Sequence, residues 1–521
     1  MAVLLANARP AGRPDHLVDV LLAGGRIAVV VPAGTGYDAV ARAASGWGDG
    51  TALERLDVEG RTVMPGLWDA HTHLTQWAMV RRRLDVSAAT SPAHAAAVVG
   101  AALMDTSRHP APGRPFVGYG FRWATWSDEP TAAVLDAVAG DVPVILLSGD
   151  LHSAWASTAG LRYLGIEHST GLLVEEEWMP ASPAIVTVTD DVADTYVAEA
   201  AHAAAERGVV GVVDLEVADN LTAWRRRVEH GWDRLRVRAG VWEHHLDAVL
   251  DAGLRDGDAL APAAGPTSGL VTQGPLKVIS DGSLNTLTAY CYDDYAGHAG
   301  PDAHGVLNVA TDHLVPLMRR AHQAGLRCAI HAIGDHANSL ALDAFAASGA
   351  RGSVEHAQLL RADDVARFAA LGVTASVQPE HAMDDRDATD SLWAGRGERA
   401  FPLADLTAAG VTLTFGSDAP VAPLDPWLAI ASAVTRSRDG RDPWHPEQRI
   451  DLAVALAAST DGRGVALRVG DPADVVVLDT DPLAASPSGD TADDVTALAR
   501  RLREQPVAAT LVAGRWTHRT I

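Results

Sequence analysis

Apolar residues at both ends of this chain come in short runs broken by glycine and proline, with no long helical stripe. VDVLLAGG and RIAVVVPAG near the start, and ADVVVLD and VAATLVAGRWTH near the finish, alternate or run apolar between turn residues, which is the pattern of β-strands. Neither end is large enough to bury a core alone. Residues 1–62 and 465–521 are therefore expected to combine into one β-sandwich domain.

Between the ends the pattern changes. Short apolar runs alternate with helix-like stretches, the signature of βαβ units on a parallel sheet. The runs at 63–70, 209–215, 234–241, 275–280, 326–331, 351–355, 372–377 and 411–416 make eight predicted strands. The predicted fold is α/β: a (β/α)8 TIM barrel over 63–464, with the β-sandwich formed by both chain ends. The interval 75–205 is far longer than the usual βα connection of about 2–6 residues, so it predicts a subdomain inserted after barrel strand one. Loops at strand carboxyl ends build the sites of such barrels, and the insertion is expected to cover the pocket.

Candidate chemistry sits at these strand ends. In PGLWDAHTHL, His71 and His73 are two apart on a strand and aim two imidazoles at one point, as ligands of a divalent metal. Lys277 lies within GPLKVISDGSLNTLTA, followed by Asp281. GLRCAIHAIGDHA ends its strand at His331, and GSVEHAQLL ends at His356. GVTLTFGSDAPV delivers Asp418 in a turn. By contrast, Glu243, His244 and His245 are adjacent, and neighbouring strand residues face opposite sides, so these three are assigned to a loop.

Composition sharpens one of these positions. Of the 42 basic residues, 41 are arginine and only Lys277 is lysine. An arginine stays protonated, whereas a lysine amine can lose its proton and react. Carbamylation by CO₂ would turn a buried lysine into a carboxylate-like bridge between two metals, an adduct arginine cannot form. The formal charge of −24 disfavours nucleic acid and anionic membrane surfaces and suits a neutral or cationic small molecule. Two cysteines in 521 residues are no disulfide framework. With no signal-like N-terminus and no long apolar span, a cytoplasmic protein is expected.

Taken in order, these motifs resemble those of the amidohydrolase superfamily, in its amidohydrolase-3 or YtcJ-like branch, which includes N-substituted formamide deformylases. PGLWDAHTHL is similar to that branch's PGFxDxHxHL, and KVISDGSL to its KxxxDGSLGS. HAIGD, EHAQ, SVQPEH and GSDAPV match later strand ends, and PVILLSGDLHSAWAS resembles a motif of the inserted segment. The resemblance covers nearly the whole chain. It implies metal ligation by His71, His73, Lys277 as its carbamate (carboxylysine), His331, His356 and Asp418, holding one or two divalent ions of the zinc type. It departs from the family where DGH reads Asp150-Leu151-His152 and where Leu287 replaces a usual arginine, a change that makes the expected ligand less anionic.

The expected activity is hydrolysis of a C–N bond, in an amide or an N-substituted formamide-like compound, by metal-activated water. Asp418 would move the proton and His356 would help to stabilise the oxyanion. His152, Trp155, His381 and Leu287 are candidates for substrate contact. Hydrolytic deamination, or opening of a cyclic amide, uses the same centre, and a catalytically silent small-molecule binder shares the scaffold. The expected partners are the small-molecule substrate and a second copy of the chain in a homodimer.

Overall fold

The computed structural model describes residues 2–35, 53–105, 113–123, 126–149, 153–174, 177–178, 180–186, 188–261, 267–484 and 491–521. Eight parallel strands form the barrel: β1 (Leu67–Thr72), β2 (Val209–Asp214), β3 (Arg236–Trp242), β4 (Val271–Ile279), β5 (Cys328–Ala332), β6 (Gly352–His356), β7 (Thr374–Val377) and β8 (Leu413–Phe415). Each pairs with the next in order. The ring returns to its start where Thr72 bridges Ala419 in parallel, Asp418 N–H donates to His71 O (2.8 Å) and His73 N–H to Ala419 O (2.8 Å). Strands covered on both faces read as continuous apolar runs, and every residue of β5 is buried. Helices Asp335–Ser348 and Ala362–Leu371 each stop at a left-handed glycine, Gly349 (φ 71°) and Gly372 (φ 63°), which turns the chain back toward the next strand.

The run read from sequence as one strand over 63–70 is two strands in different sheets. Thr62–Pro65 pairs with Val475–Leu478 in the chain-end sheet, and Leu67–Thr72 enters the barrel. Gly66 makes the junction possible, because a Cβ there would lie 2.1 Å from Val210 Cγ1. Any other residue would push β2 away.

Both chain ends contribute to one eight-stranded sheet, in the order Arg515–Arg519, Val507–Val512, Val475–Leu478, Thr62–Pro65, Ala2–Pro10, Val18–Ala23 and Arg26–Pro32, with Leu53–Asp57 also on Ala2–Pro10. Strand Ala2–Pro10 serves both halves. Its first part pairs with Leu53–Asp57, its last two residues pair with Thr62 and Val63, and the change of partner follows an irregularity at Asn7 (φ 54°). Leu5, Val20, Val475 and Leu511 meet in the resulting core, each fully buried aliphatic contributing about 1.5–3 kcal/mol. The sheet is tied to the barrel by buried Asp474, which receives Arg236 Nε (2.6 Å) and Nη2 (3.1 Å).

Residues Thr75–Ala200 form a second compact unit. Its five-stranded sheet runs Leu172–Val174, Ser153–Ala156, Val144–Ser148, Phe116–Phe121, Leu84–Asp85. Alternation along Val144–Ser148 sends Leu146 to one apolar core and Ile145 and Leu147 to another. Trp155 corrects a sequence expectation. It is wholly buried in this unit's core, with Nε1 donating to Thr131 O (2.9 Å) and edge contacts to Phe121 and Trp126 (both 6.2 Å), so its ring serves packing rather than substrate. Among the described residues no helix is long and apolar enough to cross a membrane.

Candidate active site

The carboxyl ends of the barrel strands carry a dense group of buried ionisable side chains. His71, 1% exposed at the end of β1, is its hub. Its Nδ1 lies 2.8 Å from Glu355 Oε2, and its Nε2 lies 3.4 Å from Lys277 Nζ and 3.5 Å from Asp418 Oδ1. Burial, reinforced by the charge of Lys277, pushes the His71 pKa down to about 4. A neutral ring whose Nδ1–H is held by Glu355 keeps its Nε2 lone pair for another partner. Burial alone would raise the Glu355 pKa, but the hydrogen bond from His71 and the charge of Lys277 outweigh it and hold this carboxyl below its usual range.

Lys277 points inward from β4 and is 2% exposed. Burial lowers its pKa against the pull of Glu355 and Asp418. Next along the barrel, His331 is fixed by Asp281, whose carboxylate takes His331 Nδ1 (3.0 Å) together with the backbone N–H groups of Tyr290 (3.0 Å), Ile333 (3.1 Å) and Gly334 (2.9 Å). Asp281 thereby sets the tautomer and turns Nε2 of His331 away from itself.

His356 and Asp418 share a backbone feature. Both are non-glycine residues at positive φ, 73° and 57°, a conformation costing about 1–3 kcal/mol that tends to mark functional sites. At His356 it breaks strand alternation. Ser353 and Glu355 share the inner face, joined by a hydrogen bond of 2.5 Å, and the left-handed turn brings His356 onto that face as well. Its ring centroid lies 5.0 Å from that of His71 and 4.5 Å from that of His331. Burial, with His331 beside it, holds the His356 pKa well below its ordinary value. Asp418 accepts from His73 Nε2 (3.3 Å); burial would raise its pKa, but His71, His73 and His356 together hold it well below the usual carboxylate range.

This donor set fits a divalent cation. His71, His356 and Asp418 each offer one ligand atom, all within 4.8 Å of one another. Among the described residues, Nδ1 of His73 and Nδ1 of His356 are buried without hydrogen-bond partners, a costly state that an additional ligand or water relieves.

The structure thus brings His71, His73, Lys277, His331, His356 and Asp418 to one centre. His381 stacks on His356 at 6.1 Å. Leu287 (φ 60°) packs against the cluster containing Leu284 and Met383. His152 lies outside the described residues. Glu243, His244 and His245 form a short 3-10 turn after β3 with none of them buried, and Glu243 pairs with His313 (2.7 Å). Sequence reasoning did not assign Glu355 or Gln378, whose Nε2 is 3.4 Å from His71 Nδ1. The one signal for Glu355 in the sequence is its place beside His356, and strand alternation would turn the two to opposite faces.

Comparison with known proteins agrees with this architecture. The amidohydrolase family matches residues 54–518. The putative amidohydrolase YtcJ of Bacillus subtilis is 27% identical over 478 residues, spanning 84% of this chain and 87% of the relative. N-substituted formamide deformylase of Arthrobacter pascens is 26% identical over 532 residues, spanning 93% and 94%. A crystal structure of an uncharacterized metal-dependent hydrolase from Pyrococcus horikoshii superposes with a TM-score of 0.75 at 26% identity, covering 93% of this chain and 99% of that one. The chain belongs to the amidohydrolase family, in the branch that holds YtcJ and N-substituted formamide deformylase, and is a metal-dependent hydrolase.

Proposed function

We propose that this chain hydrolyses the C–N bond of a small amide, with an N-substituted formamide as the leading substrate type. One or two zinc ions would be held by His71, His73, His331, His356 and Asp418, with carbamylated Lys277 as the bridging ligand. The observation that carries this reading is the buried convergence of His71, His356 and Asp418 within 4.8 Å, with Lys277 Nζ 3.4 Å from His71 Nε2. When bound, such a cation supplies positive charge that acidifies water and polarises a carbonyl.

The chain's own groups do the rest. Asp418 takes the proton of the attacking water on its carboxylate and passes it to the leaving nitrogen, so the carbonyl carbon gains oxygen as the C–N bond breaks. The products are a carboxylic acid, formic acid for a formamide, and an amine. Glu355 and Asp281 hold His71 and His331 in the tautomers that leave the opposite nitrogens available.

Burial lowers the pKa of Lys277 and so favours the neutral amine, the form that adds CO₂. The test is intact mass and metal content of zinc-grown protein, with assay of formate and amine release from N-alkylformamides. A CO₂ adduct at Lys277 and release of both products are expected. An unmodified lysine in active, metal-loaded enzyme would remove the carbamate, and ammonia as the released product would replace deformylation with deamination. We further infer a neutral or cationic substrate, in keeping with the acidic chain, and no nucleic-acid or membrane partner.

A further inference from the structure

The loops after β4, β6 and β7 meet on one carboxylate. Asp385 lies one turn into helix His381–Leu392. Its Oδ1 accepts from Asn285 Nδ2 (2.8 Å) and its Oδ2 from Gln358 Nε2 (3.2 Å). Asn285 follows β4, and Gln358 is buried two residues beyond His356. Both donors are neutral amides.

Neighbouring acids on this helix are paired differently. Asp384 meets Arg438 (2.8 Å) and Asp387 meets Arg441 (2.7 Å). Among the described residues no lysine or arginine forms an ion pair with Asp385. The titratable groups facing it are His381, one turn back, and Asp384. His381 is itself buried, with Nε2 unpartnered. Leu284, next to Asn285, and Leu287 pack with Met383, two residues before Asp385, in one apolar cluster.

A half-buried carboxylate whose hydrogen bonds come only from neutral amides gives up part of its hydration without a counter-charge to offset it. Two of its roughly four acceptor directions are in use, so it has capacity for a further donor. It also stands next to His381, whose ring stacks on His356. A ligand seated at the centre can therefore supply the charge the chain withholds.

We propose that Asp385 is a specificity residue that receives a protonated amino group of the substrate, so that the substrate is a small amide carrying an ammonium near its scissile C–N bond. This rests on the hydrolase reading above and narrows its substrate class. The probes are two sulfonamides that are not hydrolysed, N-(2-aminoethyl)methanesulfonamide, cationic at neutral pH, and N-propylmethanesulfonamide, its neutral counterpart. Binding of each to the metal-loaded full chain is measured by calorimetry.

Wild type is expected to bind the cation at least about tenfold more tightly, roughly the strength of one charge-assisted hydrogen bond. Asp385→Asn should bring the two within about twofold of each other, while Asp385→Glu keeps the preference. A crystal structure of the wild-type complex, which needs no variant to fold, should place the ammonium against Asp385. Absence of a cation preference in wild type, weak or undetectable binding of both probes, an undiminished preference in Asp385→Asn, or an ammonium seated elsewhere would overturn the inference. Turnover of N-(2-aminoethyl)formamide and N-propylformamide is scored separately: cleavage of either without a cation preference in binding removes only this inference, and cation preference with cleavage of neither removes only the formamide reading.

Discussion

In the chain-end sheet, Leu5, Val475 and Leu511 are wholly buried among aliphatic neighbours, whereas at the barrel mouth comparably buried positions hold His71, Lys277 and Glu355, with Asp418 against them. The first group gains from leaving water, and each member contributes through area alone. The second group loses hydration and offsets part of that loss through its mutual contacts of 2.8–3.5 Å. Loss of one aliphatic side chain therefore subtracts stability. Loss of one charged partner strands the others and changes what the site can hold.

The widest separation between the two regions is expected at Lys277. Lys277→Arg should lose turnover as completely as Lys277→Ala, although arginine keeps the charge, because guanidinium does not form the carbamate. Short carboxylic acids should partly restore Lys277→Ala and not Lys277→Arg; an active arginine variant would end the bridging role. His71→Ala and His73→Ala should likewise abolish turnover and lower zinc content, with the folded circular dichroism spectrum retained. Near-normal activity in both would place the metal elsewhere.

A smaller effect is expected at Glu355→Gln, which keeps shape but weakens the hold on His71 Nδ1. Metal affinity or kcat should fall about 10–100-fold, measured by chelator competition and steady-state kinetics. Leu5→Ala inverts the pattern: a loss of about 2–5 kcal/mol in unfolding free energy with kcat and zinc content unchanged. A fall in kcat at native temperature would show that the chain-end sheet reaches the chemistry. The least effect belongs to His244→Ala, in the solvent-facing turn after β3, where stability should change by no more than about 0.5 kcal/mol and zinc binding not at all.

The barrel was legible because its strands are apolar on both faces and are separated by turns, and because His71, His73, His331, His356 and Asp418 stand at strand ends where a periodic pattern meets a loop. Lys277 stood out through composition. Four features were not legible. Alternation assigns Glu355 and His356 to opposite faces, and only the positive φ at His356 overrides it. The run 63–70 reads as one apolar strand, since the close approach of Val210 to Gly66 is invisible in one dimension. Trp155 sat in a motif that resembles a functional one, but its ring fills a core. The carboxylate of Asp385 had no signal either, because its partners Asn285 and Gln358 arrive from two other loops.

The pairing of Thr62–Pro65 with Val475–Leu478 also has a consequence for how the chain is made. Contacts so distant in sequence are costly to close and form late. During synthesis, Val63 waits for the ribosome to deliver Val477, its partner across the ladder. Until then the early strands present an unpaired sheet edge through the whole time the barrel is translated, a period of exposure in which a chaperone or a neighbouring nascent chain competes for them.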